Sequence, residues 1–508
     1  MLIGLIKEEY GWKRILEQEK VPWEIFNVNK INKYSLIILN SRDLSIENLI
    51  KIKNYLENGG ALLTDTLSFR KLSIKEISKI YIKSIYGKGN LFRNINKLNI
   101  ERFCYKFKNS PIIYNSRIGK GFVIALPFDL NELILDERSK KLYLPSIYSS
   151  LKENISFVSK GDLRRLVVNC FIYLHLARNL PYFHIWYYPK NYESVFCYRI
   201  DLDVYNKNEM DSIIKIIKKH KIKFNWFVSV FNVRNHENEI KNLYKLNQDI
   251  QSHSYEHIVY NSFEENYQNI IKSNEFISQN IKRPIGFAAP FGYWNKNLGK
   301  ALEELNYFYS SEFSLSYDDL PFYPENCKVI QLPIYPTCIG LLRMQLYSER
   351  KMKNYLNYLI NMQYKKQMPL FLYDHPNNGI GRYPELLNFT LNKIKSLDNI
   401  LISDLTSFAK WWKEREKINI KISKNEIITN NRSNNLYLRI IFPDYKESRI
   451  ILKNQIINFD ELKLNQMPFF KDIKINGFSI LKSKLLFSIY YFRILINSIT
   501  KRILIYLK

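Results

Sequence analysis

Between Val195 and Glu414 the chain alternates short, unbroken apolar runs with stretches of helical period. VFCYRID, FNWFVSVF, DIQSH and KVIQLPIY are separated by segments such as MDSIIKIIKKHKI and FGYWNKNLGKALEELNY. An apolar run without polar alternation is a strand covered on both faces, and the helical stretches between such runs supply the cover as crossovers. The pattern therefore requires an α/β fold with a parallel sheet, either a (β/α) barrel or an open sheet, whose chemistry sits at the carboxyl ends of the strands.

The flanking regions read differently. Residues 1–180 carry LIGLI, SLIILNS, the periodic LSIENLIKIKNYLENGG and ALLTDT, which predicts a flavodoxin-like parallel sheet, with DLRRLVVNCFIYLHLARNLP as a closing helix. PYFHIWYYPKNYESV, from Pro181 to Val195, is aromatic and aperiodic and is expected to be a surface-packed linker. After Lys417, short alternating segments split by Asn-rich turns predict a small β domain over residues 415–478. Residues 479–508 place Leu485, Ile489, Phe492, Ile496, Ile499 and Ile503 on one stripe, with cations beside it and no acids. Such a tail is expected to be a basic amphipathic helix suited to an anionic membrane surface, with packing on a protein surface as the alternative.

Length and composition agree with several packed domains: 508 residues at roughly 150 per domain, 46% hydrophobic and 15% aromatic. Five cysteines without a CxxC pair fit a reducing compartment, and the N-terminus lacks the apolar core of a signal peptide, so a cytoplasmic protein, peripheral at the membrane through its tail, is expected. The net charge of +28 raises nucleic acid as a partner, but no basic recognition helix, RNP-like strand or zinc finger accompanies it. Much of the surplus is spread over lysines of ordinary helices such as IIKIIKKHKIK.

Three strand ends carry the chemistry. Arg199, Asp201 and Asp203 alternate along one strand and so share a side, where two carboxylates repel unless a metal or an arginine intervenes. His253 and His257 follow DIQS at i,i+4 spacing, which on a helical face suits Zn²⁺ at about 2.0–2.1 Å. His375, after Asp374, closes the apolar strand PLFLY. Taken singly these are a solvated turn, two surface histidines and a packed core imidazole; converging at neighbouring strand ends, they describe a site.

In these residues the chain resembles the polysaccharide deacetylases of the NodB-homology type, carbohydrate esterase family four, over residues 190–412. Asp201 and Asp203 match the first motif, His253-Ser254 and His257 the second, and His375 the last. The resemblance implies a distorted (β/α) barrel, a Zn²⁺ (or other divalent transition metal) held by Asp203, His253 and His257, Asp201 as base and His375 as acid. In the third motif, Ala288-Ala289-Pro290-Phe291-Gly292, the family's arginine is replaced by Ala288, and Arg199 on the strand of the base is the candidate substitute. The backbone N–H of Phe291 is assigned to the oxyanion. Pro290 and the following Tyr293 and Trp294 are assigned to the sugar, packing being the alternative for the two aromatic rings. Asp318, Asp319 and Glu312 are the candidates for the acid that orients the histidine. GGALLTD and GKGFVIALPFD make the N-terminal region resemble class I glutamine-amidotransferase-like domains without a nucleophile, since Cys104 has no glycine-rich elbow. The function expected is metal-dependent removal of an N-acetyl group from an amino sugar in surface-polysaccharide assembly. A hydrolase of another linear or cyclic amide or formamide on the same fold, or an inactive glycan-binding module, is the alternative.

Overall fold

Every residue of the strand Ser194–Leu202 is buried, as its apolar run requires, and it pairs with three other strands of a curled eight-stranded sheet in a computed structural model. The structure describes residues 1–141 and 154–458, apart from 74, 96, 424, 425, 431, 454 and 455. The expected amphipathic tail, 479–508, and the end of the expected β domain therefore lie outside the described residues.

The sheet runs in the order Ile330–Gln331, Tyr309–Ser310, Gly286–Phe287, Asp249–Ser252, Asn225–Val228, Ser194–Leu202, Leu370–Asp374, and Ile400–Ile402 pairs with the start of the central strand. All these pairings are parallel. Beyond Gln331 the chain donates the Tyr335 N–H to the Phe371 carbonyl at 2.9 Å, which brings the far edge back to the last strand and closes the curl. Helices supply the crossovers. Lys207–His220 is capped by Asn206, whose side chain accepts the Glu209 N–H, and buries Met210, Ile213, Ile216 and Ile217, leaving its lysines in solvent.

Inside the curl, polar side chains fill the floor. Asp249 Oδ2 accepts hydrogen bonds from Asn225 Nδ2 (2.7 Å), Gln251 Nε2 (2.8 Å) and Thr406 Oγ1 (2.6 Å), while Asn225 Oδ1 accepts the Leu405 N–H at 2.6 Å. With every donor and acceptor matched, this layer is a packed base rather than a passage. The open end of the curl is where Arg199, Asp201, His253 and His375 emerge.

A second compact unit comprises Met1–Asp136, Val158–Asn191 and the described part of Lys413–Leu486. Its main sheet has the order Trp23–Ile25, Leu2–Leu5, Tyr34–Leu39, Ala61–Asp65, Gly121–Leu126, Tyr114–Ile118. The first five strands are parallel, in the 2-1-3-4-5 order of doubly wound folds, and the last is antiparallel.

Two expectations are corrected here. The segment expected as a surface linker is buried: Tyr182–Ile185 is a strand, and Trp186 and Tyr188 are 0% exposed. The strands after Lys417 do not stand apart either, because Tyr437–Ile441 pairs antiparallel with Tyr182–Ile185 and belongs to the same unit. A two-stranded hairpin cannot bury a core alone, so it completes one with strands distant in sequence.

One acid joins the three segments of this unit. The buried Glu19 carboxylate pairs with Arg164 and accepts the Tyr187 hydroxyl proton at 2.7 Å, and its backbone carbonyl accepts from Arg415 Nη2 at 3.3 Å. His184 sits 3.6 Å from the same carboxylate; burial, then the charges of Arg439 and Arg415, hold it neutral, far below its ordinary pKa. Removing one partner of such a buried cluster strands the others. Glu19→Ala is expected to cost about 3–5 kcal/mol, read as an earlier urea transition of the full chain. Glu47→Ala, which deletes an exposed pair with Lys51, should leave that transition in place.

Candidate active site

Strand alternation puts Arg199 and Asp201 on the inner side of the curl, and Asp203 follows just past the strand end. Arg199 grips Asp201 with two hydrogen bonds, Nε to Oδ1 at 2.6 Å and Nη2 to Oδ2 at 2.5 Å, and its Nη1 donates to the Ser311 carbonyl. The guanidinium lies between the rings of Phe227 and Tyr373, 5.5 and 5.4 Å from their centroids. Burial alone would raise the Asp201 pKa, yet Arg199, with His253, outweighs it and holds the carboxyl below its usual range.

His253 and His257 come together, but not on a helix. Ser254 takes a left-handed backbone (φ 64°) and its hydroxyl donates to local carbonyls, so the segment after Asp249–Ser252 is an irregular loop. The i,i+4 helical face expected for the pair is thus corrected: the loop itself folds the two imidazoles inward, their Nε2 atoms 3.1 Å apart. His253 Nδ1–H donates to the Ala288 carbonyl at 2.6 Å, which leaves Nε2 unprotonated. Burial holds that ring's pKa down at about 4.

Asp203 Oδ1 stands 3.4 Å from His253 Nε2 and 3.2 Å from His257 Nε2, and it is buried without a hydrogen bond. Burial pulls the Asp203 pKa upward, but His257, His375 and His253 together keep it well below the ordinary value. Four ligands of a tetrahedral Zn²⁺ at 2.0–2.1 Å lie about 3.3 Å from one another. The three mutual distances, the fixed tautomer of His253 and the orphaned carboxylate oxygen therefore fit such an ion, with one corner of the tetrahedron left to solvent or substrate.

His375 reaches the same place from the end of Leu370–Asp374, its Nε2 3.5 Å from Asp203 Oδ2. Burial would lower its pKa, but Asp203, Asp201 and Asp374 reverse the sign, so this imidazole holds a proton more readily than usual. Asp374 faces away from the cleft: it accepts the Ile339 N–H at 2.7 Å and the His375 N–H at 2.9 Å, and burial lifts its pKa to about 6.

A cleft of about 300 Å³ opens over the site, lined by Arg199, Asp201, Asp203, His253, His257 and His375 and by Phe291, Gly292, Phe313 and Tyr373. Phe291 stands in the left-handed region (φ 58°), its ring packed on His257 at 5.0 Å. Gly292 is required next to it, since φ is +62° and a Cβ would meet the Phe313 ring at 2.3 Å. Pro290, Tyr293 and Trp294 do not line the cleft. Trp294 is 7% exposed and packs with Leu298, Ala301 and Phe322, so its side chain is core, not a sugar platform.

Glu312, one of three candidates for orienting the histidine, does something else. It is 1% exposed and accepts the Ala289 N–H at 3.1 Å and the Ser310 hydroxyl, thereby fixing the loop whose Ala288 carbonyl orients His253. Burial raises its pKa to about 7. Asp318 and Asp319 are not at the cleft. Sequence reading missed the wall formed by Cys338, Gly340, Leu341, Arg343 and Met344, because CIGLLRM carries no motif and forms only the six-residue helix Ile339–Met344.

Residues 200–310 match the family model of polysaccharide deacetylase. No curated protein matches the chain. Similar solved structures include a Mycobacterium smegmatis protein described as a polysaccharide deacetylase, 13% identical, covering 47% of this chain and 97% of that one at a TM-score of 0.41. A PuuE allantoinase is 16% identical over 45% of this chain and 93% of its own (TM-score 0.39). A pseudoenzyme of the CE4 family from Bacillus anthracis is 18% identical over 44% and 68% (TM-score 0.32). The deacetylase-matching segment contains Asp201, Asp203, His253 and His257 but ends before His375.

The geometry predicts one divalent transition-metal ion per chain, lost in Asp203→Ala, His253→Ala and His257→Ala, as metal analysis after dialysis would show. Glu312→Ala should weaken the metal affinity by about 10-fold, measured by chelator competition, because it frees the loop that orients His253.

Proposed function

We propose that the protein is a metal-dependent N-deacetylase of an amino sugar, acting in surface-polysaccharide assembly. The observation that carries this reading is the pairing of an arginine-held carboxylate, Asp201, with the Asp203–His253–His257 donor set in a cleft closed on its other side by His375. The family-model match over residues 200–310 supports the choice of an acetamido sugar as substrate.

A Zn²⁺-like cation in that donor set would polarise the acyl carbonyl and acidify a water beside it. Asp201, kept ionised by Arg199, takes the proton of the attacking water. Its Oδ2 lies 4.0 Å from His253 Nε2, next to the donor set. The backbone N–H of Phe291, a residue of the cleft wall, is assigned to the oxyanion. His375 holds the proton that the departing amine needs, since an amine leaves poorly as an anion. Phe291, 40% exposed on the cleft wall, offers the sugar an apolar face in place of Tyr293 and Trp294.

We assign the unit containing residues 1–136 a non-catalytic role, in keeping with its amidotransferase-like sequence. Cys104 is buried on the antiparallel strand Leu98–Phe107, and burial lifts its thiol to about 12, which leaves it unreactive. No helix among the described residues is long and apolar enough to cross a membrane.

The metal-loaded full chain is expected to release acetate from N-acetylglucosamine oligomers, and His253→Ala to abolish that release; no acetate from any acetamido sugar would refute the reading. In Arg199→Met, Asp201 loses the charge that lowers its pKa, so it stays protonated to higher pH. The acid limb of the kcat/KM profile should move upward, with a loss of about 100-fold or more near neutrality; an unaltered profile would remove Arg199 from the mechanism.

A further inference from the structure

The wall that carries no motif also carries a cation without an acid. Arg343, on the helix Ile339–Met344, lines the cleft and donates from Nη1 to Asn378 Oδ1 at 2.8 Å, and it forms no ion pair among the described residues. Asn378 stands three residues after His375, so this contact tethers the guanidinium to the loop that follows the proposed acid. That is the side of the cleft where the amine, and hence the body of the sugar, must lie.

The charges of the lining residues make the position informative. Arg199 and Asp201 neutralise one another through the forked pair. Asp203 is then the remaining carboxylate of the wall, set against Arg343 and a divalent cation. A neutral substrate would leave that positive excess uncompensated, whereas one carrying an anion would balance it and engage a guanidinium built for planar oxyanions. Around Arg343 the wall carries Leu341, Met344, which is 57% exposed, and the neutral amides Asn377 and Asn378, so none of these lining neighbours bears a negative charge. An arginine held there by a neutral amide alone keeps its strongest interaction, a charge-assisted one, available for an anionic ligand.

We infer that Arg343 selects a substrate bearing an anionic group, a carboxylate or a phosphate, on the same sugar as the acetamido group. This rests on the deacetylase reading for the reaction, but the selection itself is a binding property.

The test uses the metal-loaded full chain with N-acetylglucosamine, N-acetylglucosamine 6-phosphate and N-acetylglucosaminuronate, each followed by calorimetric binding and by acetate release. At least one anionic sugar should bind about tenfold more tightly than the neutral one, the worth of one charge-assisted contact. Which anion gains more distinguishes phosphate from carboxylate. Arg343→Ala should bring the ratio of anionic to neutral affinity to about one, and Arg343→Lys should restore part of it. Turnover should follow through KM, with kcat little moved. Equal affinity for all three sugars in the unsubstituted chain, or a ratio untouched by Arg343→Ala, overturns the inference. Tight, Arg343-dependent binding without acetate release would instead uphold it and refute the deacetylase reading.

Discussion

Two carboxylates placed two residues apart on one side of a buried strand repel, and taking either out of water is costly unless a cation accompanies it. The strand Ser194–Leu202 meets this constraint from its own sequence. Consecutive residues on one strand face are about 6.7 Å apart, a span that an arginine side chain bridges while folding back along the strand. Arg199 does so with two parallel hydrogen bonds to Asp201, a third to the Ser311 carbonyl and an aromatic ring on either side. Asp201 is thereby charged and immobile. Asp203, beyond the strand end, is left free of that grip and available to the imidazoles.

The remaining parts are arranged around that division. His253 is fixed through Nδ1 to the Ala288 carbonyl, and the Ala288-Ala289 loop is fixed in turn by Glu312. The floor of the curl, with Asp249 satisfied by Asn225, Gln251 and Thr406, keeps these strands in register beneath the site. The end of Ser194–Leu202 therefore supplies the paired carboxylate, that of Asp249–Ser252 a loop with a neutral imidazole, and that of Leu370–Asp374 a histidine whose proton is held by neighbouring carboxylates. Each acquires a different protonation tendency from its surroundings although all line one cleft.

Much of this was legible in the sequence where the physics is local. Strand alternation puts Arg199 and Asp201 on one side, with Asp203 just past the strand end, and apolar runs ending in polar residues mark the open end of the sheet. Legibility failed where tertiary packing decides. Spacing alone cannot tell a helical i,i+4 pair from two histidines folded inward by a left-handed serine, because both satisfy the same pattern. Trp294 follows the loop motif directly, yet the helix Lys296–Glu304 draws it into the core. The buried Tyr182–Ile185 strand has its partner at Tyr437–Ile441, more than 250 residues later, and no periodicity spans such a distance.

Ala288 stands where the sequence resemblance expects an arginine, and the positive charge at Asp201 comes from Arg199 on the same strand. Supplied from the strand of Asp201 itself, that charge moves with the carboxylate in any distortion of the sheet, while the loop's Ala288 carbonyl accepts the hydrogen bond of His253. The relevant invariant is the positive charge at the carboxylate and its two-point geometry, not the position in the chain from which it comes. By the same reasoning the net charge of +28 says little about function as a sum. Lysines on the outer face of Lys207–His220 are solvated, Arg199 is committed to Asp201, and what distinguishes one arginine from another is which oxygen, if any, already occupies it.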